Sequence, residues 1–218
     1  MLVTTAPAAA LTQSTLWDLV LDGGLIMIPL AILLLLCIYV FVERCWTINH
    51  AMRQDKTFMK RIRDCIMEGD MDNAVRMCKK SDTPTARLVL KGVTRIGRPT
   101  QEVMAAIENT AEIEVSNLGK GLTWLSTTAA GAPMLGFLGT VIGMMEAFMD
   151  MSAAGTATDI NTLSSGISLA LVTTVAGLIV GVIALFAYNY LVARLGNVAT
   201  SLETKTMEFM DMLNEPAV

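Results

Sequence analysis

Three long stretches of the chain contain no charged residue, and each is long enough to cross a lipid bilayer. They are residues 23–42, 121–145 and 160–193. A membrane-spanning helix needs about 20 predominantly apolar residues to cross a hydrocarbon core about 30 Å thick. Because lipid offers no hydrogen-bond partners, a spanning backbone must satisfy its own polar groups as a helix. The sequence therefore predicts an all-α membrane protein with three transmembrane helices.

The first stretch has the features of a retained helix rather than a cleaved signal peptide. No Lys or Arg precedes it, whereas a signal peptide begins with a positively charged region followed by a shorter apolar segment. We therefore count it as the first of the three spans.

The composition excludes several other classes of protein. Charged residues make up 17% of the chain and apolar residues 53%, whereas a soluble domain carries about 25% charged residues. The net charge of −4 does not suit nucleic acid, which requires a basic surface. With a single histidine, His50, and no CxxC pair among the four cysteines, the sequence indicates neither a metal site nor an enzyme.

The distribution of basic residues predicts the orientation in the membrane. Fourteen of the sixteen Lys and Arg lie between Arg44 and Lys120, and the other two, Arg194 and Lys205, follow the third span. Basic loops stay in the cytoplasm. We therefore expect an outer N-terminal segment (1–22), a first span (23–42), a cytoplasmic helical domain (43–120), a second span (121–148), an outer turn (149–162), a third span (163–193) and a cytoplasmic C-terminal helix (194–218).

Short helices are predicted in the cytoplasmic domain, at residues 56–67, 74–80 and 85–96. Asp70 or Asp72 is a candidate cap for the second of them, and Thr83 followed by Pro84 predicts the start of the third. From Thr100 nothing stops a helix before the second span, so we expect one continuous helix of about 45 residues, roughly 70 Å long. Its acidic residues predict a solvated helix face: Glu102, Glu108, Glu112 and Glu114.

Small residues recur at helical spacing in the second and third spans, which is typical of helices that pack closely in lipid. Two threonines, Thr140 and Thr174, lie in mid-span, where a hydroxyl must bond a neighbouring carbonyl or line a polar path. Glu146 is either a functional carboxylate or a side chain that reaches the outer interface. The candidate packing residues are Pro133, Gly136, Gly139, Gly143, Gly166, Ala170, Gly177 and Gly181.

Two motifs resemble those of a known family. Residues 132–143, APMLGFLGTVIG, are similar to the APLLGLLGTVxG motif of the ExbB/TolQ/MotA proton-channel proteins, and residues 166–178, GISLALVTTVAGL, to their GIxEALxxTxxGL motif. Tyr188-Asn189 resembles the family's YN pair. With three spans rather than four, the chain is most similar to ExbB and TolQ. The resemblance covers almost the whole chain.

The resemblance implies a motor subunit of the bacterial inner membrane, with the N-terminus in the periplasm. Five copies would surround the single spans of an ExbD- or TolR-like partner dimer, whose aspartate is protonated and deprotonated as ions pass. Thr140 and Thr174, with the neighbouring Thr173, would line the ion path. The energy would pass to a TonB-like protein that drives outer-membrane import. No bound cofactor is implied, only the transported H⁺ or Na⁺.

One residue departs from the family pattern. Where the second motif has glutamate, this chain has Leu169. Glu146 lies six residues outward of Thr140, and Leu169 lies five residues outward of Thr174, so the two positions share a depth if the threonines are level. We therefore expect Glu146 to replace the missing acid at a contact between subunits.

The residues leave some alternatives open. A TolQ-like role in envelope integrity or in another envelope machine would use the same motifs, and threonine hydroxyls suit Na⁺ as well as protons. A permease subunit of an ATP-driven transporter is a further alternative, although no coupling-loop pattern supports it.

Overall fold

The computed structural model describes residues 24–52, 57–154 and 160–214, and within them it contains helices and no strand. This confirms the all-α prediction. We number the helices along the chain as α1 (Met27–Ala51), α2 (Phe58–Met67), α3 (Met71–Lys80), α4 (Pro84–Val93), α5 (Thr100–Gly119), α6 (Leu122–Ala154) and α7 (Ile160–Asn214).

Three of these helices, α1, α6 and α7, are long and apolar enough to cross a membrane by length and composition. Many of their large apolar side chains stay exposed in the single chain, including Leu35 at 68%, Phe137 at 66% and Phe186 at 72%. Such exposure would be costly in water but suits helices whose outer surface contacts lipid. Leu30 of α1 packs with Ala132 of α6 and Val180 of α7 in one buried cluster.

The chain divides into two compact units. The apolar unit comprises the described residues of Trp124–Phe186 and those up to Ile38, and the polar unit comprises the described residues of Tyr39–Thr123 and Ala187–Val218. The apolar unit contains most of the uncharged sequence. The polar unit contains the short helices α2 to α5 and the C-terminal part of α7.

Local sequence signals set the starts of two short helices. Asp70 caps α3, where its carboxylate accepts a hydrogen bond of 3.0 Å from the amide of Asn73. Thr83 caps α4 by accepting a 3.3 Å hydrogen bond from the amide of Ala86, and Pro84 occupies the first helical position. The cap at Thr83 was predicted, and of the two candidates Asp70 and Asp72 the structure shows Asp70 as the cap. These side chains satisfy amide groups that a helix start leaves unpaired.

The prediction of one continuous helix from Thr100 into the second span is wrong. Helix α5 ends at Gly119 and α6 begins at Leu122. Between them Gly121 adopts a φ of +89°, a left-handed conformation that glycine alone adopts at no steric cost. The guanidinium of Arg44 lies beside Gly121, and its Nη1 donates to the carbonyl of Asn117 at 3.4 Å, in the last turn of α5. A basic side chain is favourable at the carbonyl end of a helix.

The helix boundaries in the structure differ from those predicted around the outer turn and the C-terminal helix. Residues 149–154 still belong to α6, and residues 160–162 already belong to α7. Helix α7 then continues from the third predicted span to Asn214 without a break. The predicted N-terminal segment, residues 1–22, lies outside the described residues.

The acidic face predicted on α5 is only partly correct. Glu102, Glu108 and Glu112 are exposed, but Glu114 is 9% exposed. Its two carboxylate oxygens accept hydrogen bonds from Nε and Nη2 of Arg87 on α4, at 2.7 and 2.8 Å. Hydrogen bonding to Glu114 raises the pKa of Arg87 above its usual value. The prediction failed because the partner of Glu114 lies 27 residues away.

Candidate functional site

Helices α6 and α7 meet along a line of small residues, which we call the glycine seam: Gly136, Gly139 and Gly143 of α6 with Gly166, Gly177 and Gly181 of α7. At Gly177, an added Cβ would lie 2.6 Å from the carbonyl oxygen of Ala132 and 2.9 Å from Cα of Gly136. Neither backbone atom can move without separating the helices. The glycines are therefore required for the close approach of the two backbones.

The contacts along the seam fix the register of the two helices. Gly181 lies against Pro133, Gly177 against Gly136, Ala170 against Gly143, and Gly166 against Ala147. Positions rise on one helix as they fall on the other, so the helices are antiparallel. All eight residues predicted to pack these helices lie at this seam.

Three hydroxyls meet at the middle of the seam. The side chains of Thr140 and Thr174 are hydrogen-bonded to each other. Thr140 Oγ1 also lies 3.2 Å from the carbonyl oxygen of Ala170, and Thr174 Oγ1 lies 3.1 Å from that of Gly136. Thr173 Oγ1 donates to the carbonyl oxygen of Ala170 at 2.7 Å. We call these three side chains, with the carbonyls of Gly136 and Ala170, the threonine cluster.

The threonine cluster can form because glycines of α6 face the threonines of α7. A Cβ added at Gly139 would collide with the side chain of Thr173, and Gly136 leaves its own carbonyl open to Thr174. The sequence predicted the threonines but not their acceptors. The spacing of the glycines indicates that a backbone carbonyl such as that of Gly136 can be open to a facing hydroxyl, but it does not identify which hydroxyl faces it.

The two partly buried hydroxyls can both donate and accept hydrogen bonds. A hydroxyl has one O–H donor and two acceptor lone pairs. When one threonine donates to the other, the second is left to donate to a backbone carbonyl, and lone pairs remain on both oxygens. Reversing the two O–H groups gives an equivalent arrangement. Such a pair can accept a hydrogen bond from a protonated carboxyl group or contribute oxygen ligands to a small cation.

Thr173 is placed differently from the other two threonines. Its side chain is buried, at 3% exposure, and its short hydrogen bond goes to a carbonyl of its own helix. Thr140 and Thr174 are only partly buried. The geometry favours Thr140 and Thr174 as the accessible hydroxyls and Thr173 as a support of the seam.

Glu146 is exposed on α6, away from the threonine cluster. The bond between Thr140 and Thr174 shows that these two residues are level, as the depth comparison of Glu146 and Leu169 required. The register of the seam places Glu146 within about two residues, ~3 Å along the axis, of the level of Leu169. The side chain of Leu169 lies outside the described part of the structure, and replacement of the missing acid by Glu146 stays a prediction.

Among the described side chains, no group of three or more His, Cys, Asp or Glu could hold a metal ion. The oxygen atoms that converge in the apolar unit are those of the threonine cluster.

The chain is similar in sequence to known proteins of the ExbB and TolQ type. The MotA/TolQ/ExbB proton channel family matches residues 80–204. An ExbB-like biopolymer transport protein of Synechocystis sp. is 30% identical over 203 residues, which cover 91% of this chain and 76% of that protein. The biopolymer transport protein ExbB of Neisseria meningitidis is 26% identical over 207 residues, covering 88% and 89%. The Tol-Pal system protein TolQ of Haemophilus influenzae is 33% identical over 114 residues, covering 52% and 50%.

The matched region contains the whole of α6, the glycine seam and the threonine cluster, and it extends over more than half of the chain. It confirms the resemblance that the two sequence motifs indicated. The chain belongs to the MotA/TolQ/ExbB proton channel family.

Proposed function

We propose that this chain is the inner-membrane motor subunit of an ExbB-type system that uses the proton motive force to do mechanical work. Five copies surround the spans of an ExbD-like dimer, and the complex acts on a TonB-like protein for outer-membrane import. The observation that carries the proposal is the threonine cluster, which provides paired hydroxyls in the middle of a seam otherwise made of small and apolar residues.

The chemistry of the cluster suits a membrane carboxyl group that changes its protonation state. An ionised carboxylate in the membrane is costly unless it faces a polar partner. Thr140 and Thr174 offer donors to the ionised form and acceptors to the protonated form, and each of five copies would present the same pair in turn. One elementary charge crossing the membrane supplies about 2.3 kcal/mol per 100 mV, so a mechanical step draws on several ions.

The proposed orientation places the polar unit in the cytoplasm. Within this unit Arg44 lies beside Gly121, and a Cβ at Gly119 would lie 3.2 Å from the side chain of Leu195, next to Arg194. Basic residues thus occur near the inner end of each predicted span, as the rule for cytoplasmic loops requires. Trp46, two residues after Arg44, is 77% exposed, which suits a residue at the membrane–water interface.

A TolQ-like role is the second candidate. It is favoured by the similarity to the Haemophilus influenzae protein, whose matched segment reaches 33% identity. Because the threonine cluster serves either role, the two functions differ in the partner and in the protein that receives the energy. The five oxygen atoms of the cluster also suit Na⁺, which prefers oxygen ligands, so the coupling ion is H⁺ or Na⁺.

The proposal is tested by co-expressing the full chain with an ExbD-like partner and with a TolR-like partner, followed by native mass spectrometry. We expect five copies of this chain with two of one partner. The same pairs are then introduced into bacteria lacking ExbB and ExbD or TolQ and TolR. Restored iron–siderophore uptake supports the first role, and restored detergent resistance supports the second. A monomer, or a stable complex with an ATPase, would overturn the proposal.

A further inference from the structure

Charge is divided unevenly between two parts of the polar unit. Residues 57–98, which contain α2 to α4, hold ten Lys and Arg against five Asp and Glu, a formal charge of +5. Helix α5 together with residues 194–214 of α7 holds two basic and seven acidic side chains, a formal charge of −5. The polar unit therefore has a basic part and an acidic part of equal and opposite formal charge.

The acidic part contains a groove between α5 and α7, with a volume of about 670 Å³. The small side chains of Ala111 and Ala199 are among its lining residues, and three glutamates border it, Glu108, Glu112 and Glu203. Met104 and Met207 also line it and are 43% and 65% exposed. The acidic border favours a partner surface that carries basic side chains.

Helix α3 has the complementary features. Its buried side is formed by Ala74 and Cys78, and its exposed side carries three basic residues, Arg76, Lys79 and Lys80, and one acidic residue, Asp72. Residues four apart on a helix have Cβ atoms about 6 Å apart. The spacing of Arg76 and Lys80 on α3 therefore equals that of Glu108 and Glu112 on α5.

We propose that the groove of one copy receives α3 of a neighbouring copy. The contact joins two different surfaces of the same chain, so it is heterologous, and repetition of such a contact closes a ring when the rotation per subunit divides a full turn. Charge complementarity favours a second copy as the occupant because the polar unit of every copy carries both the acidic groove and the basic helix α3. This inference rests on the proposed pentamer and identifies the surfaces that form it.

The test uses charge reversal on each surface of the full-length chain, produced with its ExbD-like partner. Glu108→Lys with Glu112→Lys reverses the groove, and Arg76→Glu with Lys80→Glu reverses the helix. We expect each double variant to lower the pentamer fraction in native mass spectrometry by about tenfold or more. The chain that carries all four substitutions restores every contact with exchanged charges, so we expect it to recover the pentamer.

A control matched to the groove variant changes the net charge by the same +4 at exposed acids outside the groove, by Glu68→Lys with Asp211→Lys, and should assemble like the wild type. Circular dichroism and thermal unfolding verify that every variant is folded. The inference is overturned if the double variants assemble normally, including the case in which they lose only the partner, or if the folded quadruple variant stays dissociated. A wild-type chain that forms no oligomer would overturn the proposed function as well.

Discussion

At the residue scale, two kinds of hydrogen bond between side chains can be distinguished in this chain. Thr140 and Thr174 bond each other across the seam and keep free lone pairs, whereas Arg87 holds both carboxylate oxygens of Glu114 in a bidentate ion pair. A hydroxyl pair can exchange its donor and acceptor without moving heavy atoms. A bidentate guanidinium–carboxylate pair is held by the fork geometry of both groups. The first arrangement suits ion passage and the second suits a fixed structural contact.

Replacing Arg87 should destabilise the polar unit more than its surface position suggests. In Arg87→Met the carboxylate of Glu114 stays buried without its two donors, at a cost of about 1.5–3 kcal/mol. Thermal unfolding in detergent should show a Tm lowered by roughly 3–12 °C. The double variant Arg87→Met with Glu114→Leu removes both charges and should recover much of the loss. Equal Tm values for the single variant and the wild type would contradict this account.

Glu146 should matter for assembly or for energy transfer if it replaces the acid missing at Leu169. Glu146→Gln keeps the size of the side chain and removes its charge, and we expect motor-dependent uptake or the pentamer fraction to fall by about tenfold, as for the loss of one charged hydrogen bond. Asp150→Asn is the matched control, because Asp150 is an exposed acid four residues further along α6. Wild-type behaviour of Glu146→Gln in both measurements would refute the hypothesis.

At the scale of helices, local signals could be predicted and distant ones could not. The caps at Asp70 and Thr83 depend on a side chain and an amide three residues later, so a short stretch of sequence contains all the necessary information. The break at Gly121 depends on a glycine φ and on Arg44, more than 70 residues earlier in the chain. Glu114 was misread for the same reason, since its partner is on another helix.

For the candidate site, the sequence predicted which residues take part but not how the two helices are aligned. The small residues and the threonines could be identified from helical spacing, but spacing alone does not give the register between α6 and α7. The register determines that Thr140 meets Thr174 and that Gly136 and Ala170 provide the acceptors. It also separates Thr173, which is buried, from the two accessible threonines.

An added methyl group should destabilise the helix pair at a glycine of the seam but not at Gly131, a glycine of α6 outside the seam. In Gly177→Ala the new Cβ would lie 2.6 Å from the carbonyl oxygen of Ala132, so the helices must separate, at a cost of about 1–3 kcal/mol. Gly131→Ala is the matched control, because nothing lies within 4 Å of its added Cβ, and alanine favours a helix over glycine by about 1 kcal/mol. The Tm in detergent should fall for the first variant only, and a fall in both would refute the seam.

At the scale of the whole molecule, the chain combines three apolar helices with a charged polar unit. The threonine cluster offers hydroxyls but no titratable group of its own, since its members are threonines and backbone carbonyls. A carboxyl group that changes its protonation state as ions pass would therefore lie outside the cluster. The family resemblance, and not the geometry of the cluster, is the ground for proposing an aspartate on a partner.

The central claim is tested most directly by ion flux through the complex with its ExbD-like partner in liposomes. A K⁺ diffusion potential is applied, and H⁺ or Na⁺ entry is followed with an internal dye. We compare Thr140→Val and Thr174→Val with Thr128→Val, a buried threonine of α6 whose hydroxyl donates to the carbonyl of Trp124 at 2.8 Å. The account predicts flux in the wild type and in Thr128→Val, and a loss of about tenfold or more in the other two, equivalent to about 1.4 kcal/mol. Full flux in Thr140→Val and Thr174→Val, or no flux of either ion through the wild-type complex, would contradict it.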